Sequence, residues 1–179
     1  MEHVVSYFTE AGFTETMRLK NRLFWGLAIA GLIFDQLTKI WVVKTFELYD
    51  TIPLWSEVFH FTYVTNKGAA FSLFSQNGEW LKWLSLLVSI ALMGVGAFAK
   101  LSNRWEQAGY GFILAGAVGN GIDRFFAGEV VDFLDFRLIQ FPVFNVADVC
   151  INIGIVCLLW AAFQTPQNAK ENANKKIQS

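Results

Sequence analysis

The side chains of this sequence that can do chemistry are few, and two of them are aspartates in apolar surroundings. Asp132 stands in Gly128-Glu129-Val130-Val131-Asp132-Phe133-Leu134, where the flanking Val, Phe and Leu take water away from a carboxylate and so raise its pKa. Asp148 stands in Phe144-Asn145-Val146-Ala147-Asp148, at the start of an apolar run. Asp148 has a structural reading, with Asn145 as helix N-cap, Asp148 as the capping-box acid three residues on, and its charge at the positive end of the helix dipole. It also has a chemical reading. Two carboxylates at one depth share a proton, because close like charges resist ionising together. One then activates water while the other protonates a scissile carbonyl, which is aspartic-protease chemistry.

The other candidates are polar residues within or beside apolar stretches, where an ionisable group costs roughly 2.5–3.5 kcal/mol or more at mid-bilayer. Asp35 and Lys39 are four residues apart, so they share a helical face with the acid on the favourable N-terminal side. They read either as a self-neutralising structural pair or as a device that positions a site. Asn66 opens the turn signal Asn66-Lys67-Gly68. In Gly119-Asn120-Gly121-Ile122-Asp123-Arg124, Asn120 and Arg124 fall on one helical face, while Asp123 and Arg124 can simply snorkel to the interface. His3 and His60 are isolated, and Cys150 and Cys157 lie seven residues apart, about 10 Å along a helix. No disulfide between them and no metal site is expected.

The elements that must position these residues are membrane spans. Apolar residues make up 54% of the 179 and charged residues only 16%, well below the quarter usual in soluble domains. Mean hydropathy is +0.39. Four stretches suit a bilayer core, which needs about 20 helical residues: 23–43, 81–99, 107–126 and 146–163. The expected fold is an all-α membrane protein of four transmembrane helices with a small extracytoplasmic β element. Residues 1–22 read as a cytoplasmic leader, either a surface helix or loosely ordered. Residues 23–163 read as the membrane domain and 164–179 as a cytoplasmic tail, its last dozen residues disordered.

Orientation follows from basic residues. Arg18, Lys20 and Arg22 precede the first span, Lys100 and Arg104 separate the second and third, and Lys170, Lys175 and Lys176 end the chain. All fall on one side, expected to be cytoplasmic, so that both termini are inside and the loops 44–80 and 127–145 face outward. Trp41, Trp80, Trp83, Trp105 and Trp160 lie near span ends, as interfacial aromatics do. In the first outer loop, residues 60–65 have strand-forming composition, and an apolar run, Ala69–Phe74, follows the turn. A sheet there is a platform for an extended peptide. Gly111, Ala115 and Gly119 form a small-residue stripe that lets another helix approach. The net charge of −1 gives no reason to expect nucleic acid.

In this order the motifs resemble those of the lipoprotein signal peptidase, or signal peptidase II, family. They are Asp35…Lys39, Asn66-x-Gly68-Ala69-Ala70-Phe71, Gly119-Asn120-x-x-Asp123-Arg124, Gly128-x-Val130-Val131-Asp132-Phe133 and Phe144-Asn145-x-Ala147-Asp148. The resemblance covers residues 23–163. It implies that Asp132 and Asp148 are the catalytic pair, and that Asp35, Lys39, Asn66, Gly68, Asn120, Arg124, Asn145 and Ala147 bind substrate or shape the site. It implies an endopeptidase of the bacterial inner membrane, with its site facing the periplasm. Such an enzyme cuts diacylated prolipoproteins before the lipidated cysteine and uses no metal or cofactor. Nothing in the sequence demands more than a monomer. The leader of about 20 residues is longer than the family's core requires. Two rivals are a proton-coupled transporter, which would spread its acids through the membrane depth, and a Ser/Lys peptidase using Lys67 and Ser72.

Overall fold

A computed structural model describes residues 21–68, 79–139 and 141–178. The expectations for the leader, for the apolar run Ala69–Phe74 and for Ser72 lie outside the described residues. The chain is mostly helical: α1 (Arg22–Thr45), β1 (Thr51–Trp55), β2 (Phe59–Asn66), α2 (Trp80–Phe98), α3 (Arg104–Phe126), β3 (Val130–Phe136), a 3-10 turn (Arg137–Ile139) and α4 (Val146–Gln178).

Among the described residues, three helical segments are long and apolar enough to cross a membrane: α1, α2 and Val146–Gln164 of α4. With 23 residues, α3 reaches about 34 Å, but its composition is different because its surroundings are. It packs against α1, α2 and α4, so the faces that would meet lipid meet protein, and small residues replace leucines. A Cβ on Gly111 would lie 2.6 Å from the Phe24 carbonyl of α1, and one on Gly109 would lie 2.9 Å from the Gly154 carbonyl of α4. Gly116 abuts the Ala147 carbonyl. The small-residue stripe of α3 is thus a packing surface, lying against α1.

The basic end of the bundle is tied by Asn21. Its side-chain amide donates to the carbonyls of Gly96 (3.0 Å) and Ala99 (2.8 Å), and its Oδ1 accepts from the Leu101 N–H (3.0 Å). One buried side chain therefore satisfies carbonyls left open at the C-terminal end of α2 and fixes the start of α1 beside them.

The opposite end carries an antiparallel sheet in the order β1-β2-β3. Phe61 and Phe133 stack on Trp41, Val42 and Phe46 at the end of α1, so the sheet sits on the bundle through aromatic contacts. Its β2 strand covers the run expected from composition, and Asn66 closes it by accepting the Gly68 N–H (2.9 Å). Two strands were not singled out from the sequence: β1, beside the β element expected in loop 44–80, and β3, in loop 127–145. The strand β3 hides in the sequence because Val130-Val131-Asp132-Phe133-Leu134-Asp135-Phe136 lacks the strict polar–apolar alternation that identifies a half-buried strand. A correction concerns the tail: the backbone stays helical to Gln178, consistent with its content of Ala, Lys, Glu and Gln.

Candidate active site

The start of α4 is a reciprocal cap. Asn145 Oδ1 accepts the Asp148 N–H (3.0 Å), and Asp148 Oδ2 accepts the Asn145 N–H (3.3 Å). The structural reading of Asp148 is therefore met, yet the cap uses only one carboxylate oxygen. The other, Oδ1, accepts the side-chain amide of Asn120 from α3 (2.8 Å).

Asp132 stands on β3 and is only 2% exposed. Its Oδ1 accepts Asn145 Nδ2 at 2.6 Å and its Oδ2 accepts Asn66 Nδ2 at 3.1 Å. Burial, and then the charge of Asp148, push its pKa up to about 7, against the opposing pull of the two amides and Lys39. The desolvation expected from its apolar neighbours is the leading cause. Asn145 also donates to Asn120 Oδ1 (3.0 Å), so two asparagines link the two carboxylates.

Below them lies a paired cluster. Lys39 Nζ reaches Asp35 Oδ2 (2.9 Å), Asp123 Oδ2 (2.8 Å) and Asn120 Oδ1 (3.0 Å), which uses all three of its donors. Asp35 is fully buried, and its Oδ1 accepts the Ala147 N–H from the first turn of α4 (2.8 Å). Gln36 Nε2 adds contacts to Asp35, the Gly119 carbonyl and Asp123. A Cβ on Gly119 would meet Asp35 Oδ2 at 2.5 Å, so glycine is what lets the acid in.

Asp132 and Asp148 open on one cavity of about 1060 Å³, walled by Asn66, Asn120, Arg124, the strand end at Val130 and the segment Pro142–Phe144. Arg124 donates to the carbonyls of Gly68 (3.3 Å) and Asn120 (3.4 Å), while its buried Nε has no partner among the described residues. The cavity thus offers a carboxyl that keeps a proton near neutral pH, a second carboxylate linked to it by two asparagines, and a cation. Among the described residues no group of three His, Cys, Asp or Glu side chains could hold a metal ion.

Residues 27–164 match the family described as Signal peptidase (SPase) II. The chain belongs to that family. It is similar to the lipoprotein signal peptidases of Cyanothece sp. (62% identity, 91% of this chain and 95% of that one) and Microcystis aeruginosa (65%, 80% and 94%). A solved structure described as a bacterial membrane enzyme, determined by the in meso method at 2.3 Å resolution, superposes with a TM-score of 0.74. The two share 31% identity over 81% of this chain and 90% of that one. As a signal peptidase II this chain is a protease and a bacterial membrane protein.

Set against the signal peptidase II motifs, the structure gathers Asp35, Lys39, Asn66, Gly68, Asn120, Arg124, Asn145 and Ala147 around the two aspartates. Ala147 and Gly68 take part through their backbones, the first by its N–H to Asp35 and the second by its carbonyl to Arg124. Sequence reasoning missed two participants. Asp123 does not snorkel to the interface; it pairs with Lys39 and also accepts the Val131 N–H (3.4 Å). Its place in the Gly119-Asn120-x-x-Asp123-Arg124 motif was its only signal in the sequence. Gln36 gave no signal beyond its place between Asp35 and Lys39. Ala69, Ala70 and Phe71 of the Asn66 motif lie outside the described residues.

Proposed function

We propose that this enzyme is an aspartic endopeptidase that removes signal peptides from diacylglyceryl-modified bacterial prolipoproteins, cutting on the N-terminal side of the lipidated cysteine. The observation that carries the reading is the pairing of Asp132 and Asp148 through Asn145 and Asn120 on the wall of one cavity. Asp132, with its raised pKa, holds the proton. Asp148, half-buried at the cavity, takes a proton from water as the water oxygen attacks the scissile carbonyl carbon, while Asp132 gives its proton to the carbonyl oxygen. Collapse of the resulting diol breaks the C–N bond as one hydroxyl returns its proton to Asp132, and the leaving amine takes the proton held by Asp148. The atoms balance with water as the only co-reactant, so the reaction as written requires neither metal nor cofactor. Both acids come from one chain, so a monomer completes the site. Asn66, Asn120 and Asn145 hold the pair, Arg124 and Gly68 shape its rim, and Asp35, Lys39 and Ala147 support it from below.

All four helices cross the membrane in this reading, α3 as the protein-lined one. The end bearing Arg22, Lys100 and Arg104 is cytoplasmic, and the sheet and cavity face the periplasm at the outer surface of the inner membrane. A lipidated precursor then arrives sideways, with acyl chains in the bilayer and the scissile bond level with the acids. Exposed Trp41, Trp80 and Trp83 near the sheet end suit that interface.

The test is cleavage of a diacylated prolipoprotein by purified protein in lipid-supplemented micelles, read by gel shift. Asp132→Asn and Asp148→Asn are each expected to lower kcat by about a thousandfold or more, with both variants still folded. Processing at a near-normal rate by either variant would remove that residue from the mechanism. A precursor without its lipid should be cut poorly, and equal cleavage of the two would dismiss the lipid from recognition.

A further inference from the structure

The amides around the two carboxylates carry a polarity that something must set. An asparagine side chain offers an acceptor on one side and two donors on the other, and it can turn over to exchange them. Asn145 is held by its own helix start, because its Oδ1 must face the Asp148 N–H. Asn66 is held the same way, because its Oδ1 faces the Gly68 N–H. Asn120 has no backbone donor holding it among its described contacts. Its Oδ1 faces Lys39 Nζ (3.0 Å) and Asn145 Nδ2 (3.0 Å), and its Nδ2 faces Asp148 Oδ1 (2.8 Å).

From this we infer that Lys39 is a positioning residue: its ammonium, which can only donate, keeps the Asn120 oxygen turned inward and the Asn120 NH₂ turned toward Asp148 throughout the reaction. The inference rests on the proposed roles of Asp132 and Asp148. While Asp148 is ionised, it attracts the Asn120 NH₂ by itself. Once Asp148 has taken the proton from water, that attraction weakens and the amide can turn over. A turned amide would present its oxygen to Asp148 and its NH₂ to both Lys39 and Asn145 Nδ2, setting donors against donors. Lys39 blocks that state at the step where Asp148 cannot. Asp35 and Asp123 in turn hold the ammonium in place, at 2.9 and 2.8 Å, which gives the buried ion cluster a purpose beyond neutrality.

The inference concerns turnover, not substrate binding, so it separates kcat from KM. The charged groups around the acid pair are Asp35 and Lys39 from α1 and Asp123 and Arg124 from α3, with Lys67 and Glu129 on the cavity wall. Removing the lysine changes their field as well as the amide, so the experiment must tell the two apart. Full-length protein in lipid-supplemented micelles would be assayed on a diacylated prolipoprotein from pH 5 to 9. Lys39→Met is expected to lower kcat about tenfold to a hundredfold, with KM within about threefold and both limbs of the kcat profile moved to higher pH. Lys39→Gln, which loses the charge but keeps a donor for Asn120, should recover most of that kcat. In an Asn120→Ala background the relay is already cut, and Lys39→Met should then cost less than about threefold more.

Equal losses in the two backgrounds, or a Gln variant no better than Met, would overturn the inference in favour of a field effect. A lower unfolding temperature with an unmoved kcat profile would overturn it in favour of a structural role. If Lys39→Met does not fold, the triple variant Asp35→Asn, Lys39→Met, Asp123→Asn removes the ion cluster whole and is read by the same criteria. The dyad fails separately: active Asp132→Asn or Asp148→Asn protein would sink the proposed reaction, whatever Lys39 and Asn120 do to one another.

Discussion

Two acid pairs lie within one polar network of this protein, and they are built from the same residue type with opposite results. Asp35 and Asp123 close on Lys39 at 2.9 and 2.8 Å. Asp132 and Asp148 have amides where the first pair has an ammonium, and among the described residues neither makes an ion pair. A buried acid with a cation at contact distance is spent on structure. A buried acid beside a second acid keeps its proton into the neutral range, and that proton is then available for chemistry. What distinguishes the scaffold pair from the pair proposed to react is an ammonium at contact distance in the first and only amides in the second.

The comparison can be broken most sharply from the structural side. Asp35→Ala leaves Lys39 with one carboxylate, and it removes the acceptor for the Ala147 N–H, so a loss of about 3–5 kcal/mol is expected. Thermal unfolding in micelles would measure it, and a loss below about 1 kcal/mol would mean that the pair behaves like a surface salt bridge. The next effect is smaller and concerns the reactive pair. Asp132 has its folded pKa raised from 3.8 to about 7, so between those values the folded state binds more protons than the unfolded one. Stability should therefore fall as pH rises through that window, by up to about 4 kcal/mol. Asp132→Asn should flatten the slope. An unchanged slope in the variant would show that Asp132 does not carry the proton. Smallest is Gly119→Ala, whose methyl would press on Asp35. A cost of about 1–3 kcal/mol is expected, and a neutral result would mean that the acid has room to move.

How much of this was legible beforehand depended on whether a residue's neighbours in sequence are its neighbours in space. Asp132 was legible because its own strand supplies the apolar surroundings. Asp35 and Lys39 were legible because a helix brings i and i+4 together. Asp123 was not, because its partner lies 84 positions away on another helix and a residue near a helix end has a bland alternative. The strand β3 was obscured by its lack of polar–apolar alternation, while α3 was recognisable as a long helix whose glycines report protein neighbours. For Asp148 the local reading as a helix cap was true, and was only half of what the carboxylate does.

That double use ties activity to biogenesis. Asp148 is oriented only when α4 has formed its first turn, and that turn is anchored by a hydrogen bond from Ala147 to Asp35, 112 residues earlier. A ribosome delivers Asp35, Lys39 and Asn120 first, Asp132 next and Asp148 last. A chain without its final helix therefore lacks the residue proposed to draw a proton from water. The proposed reaction thus becomes possible only once α4 is in place.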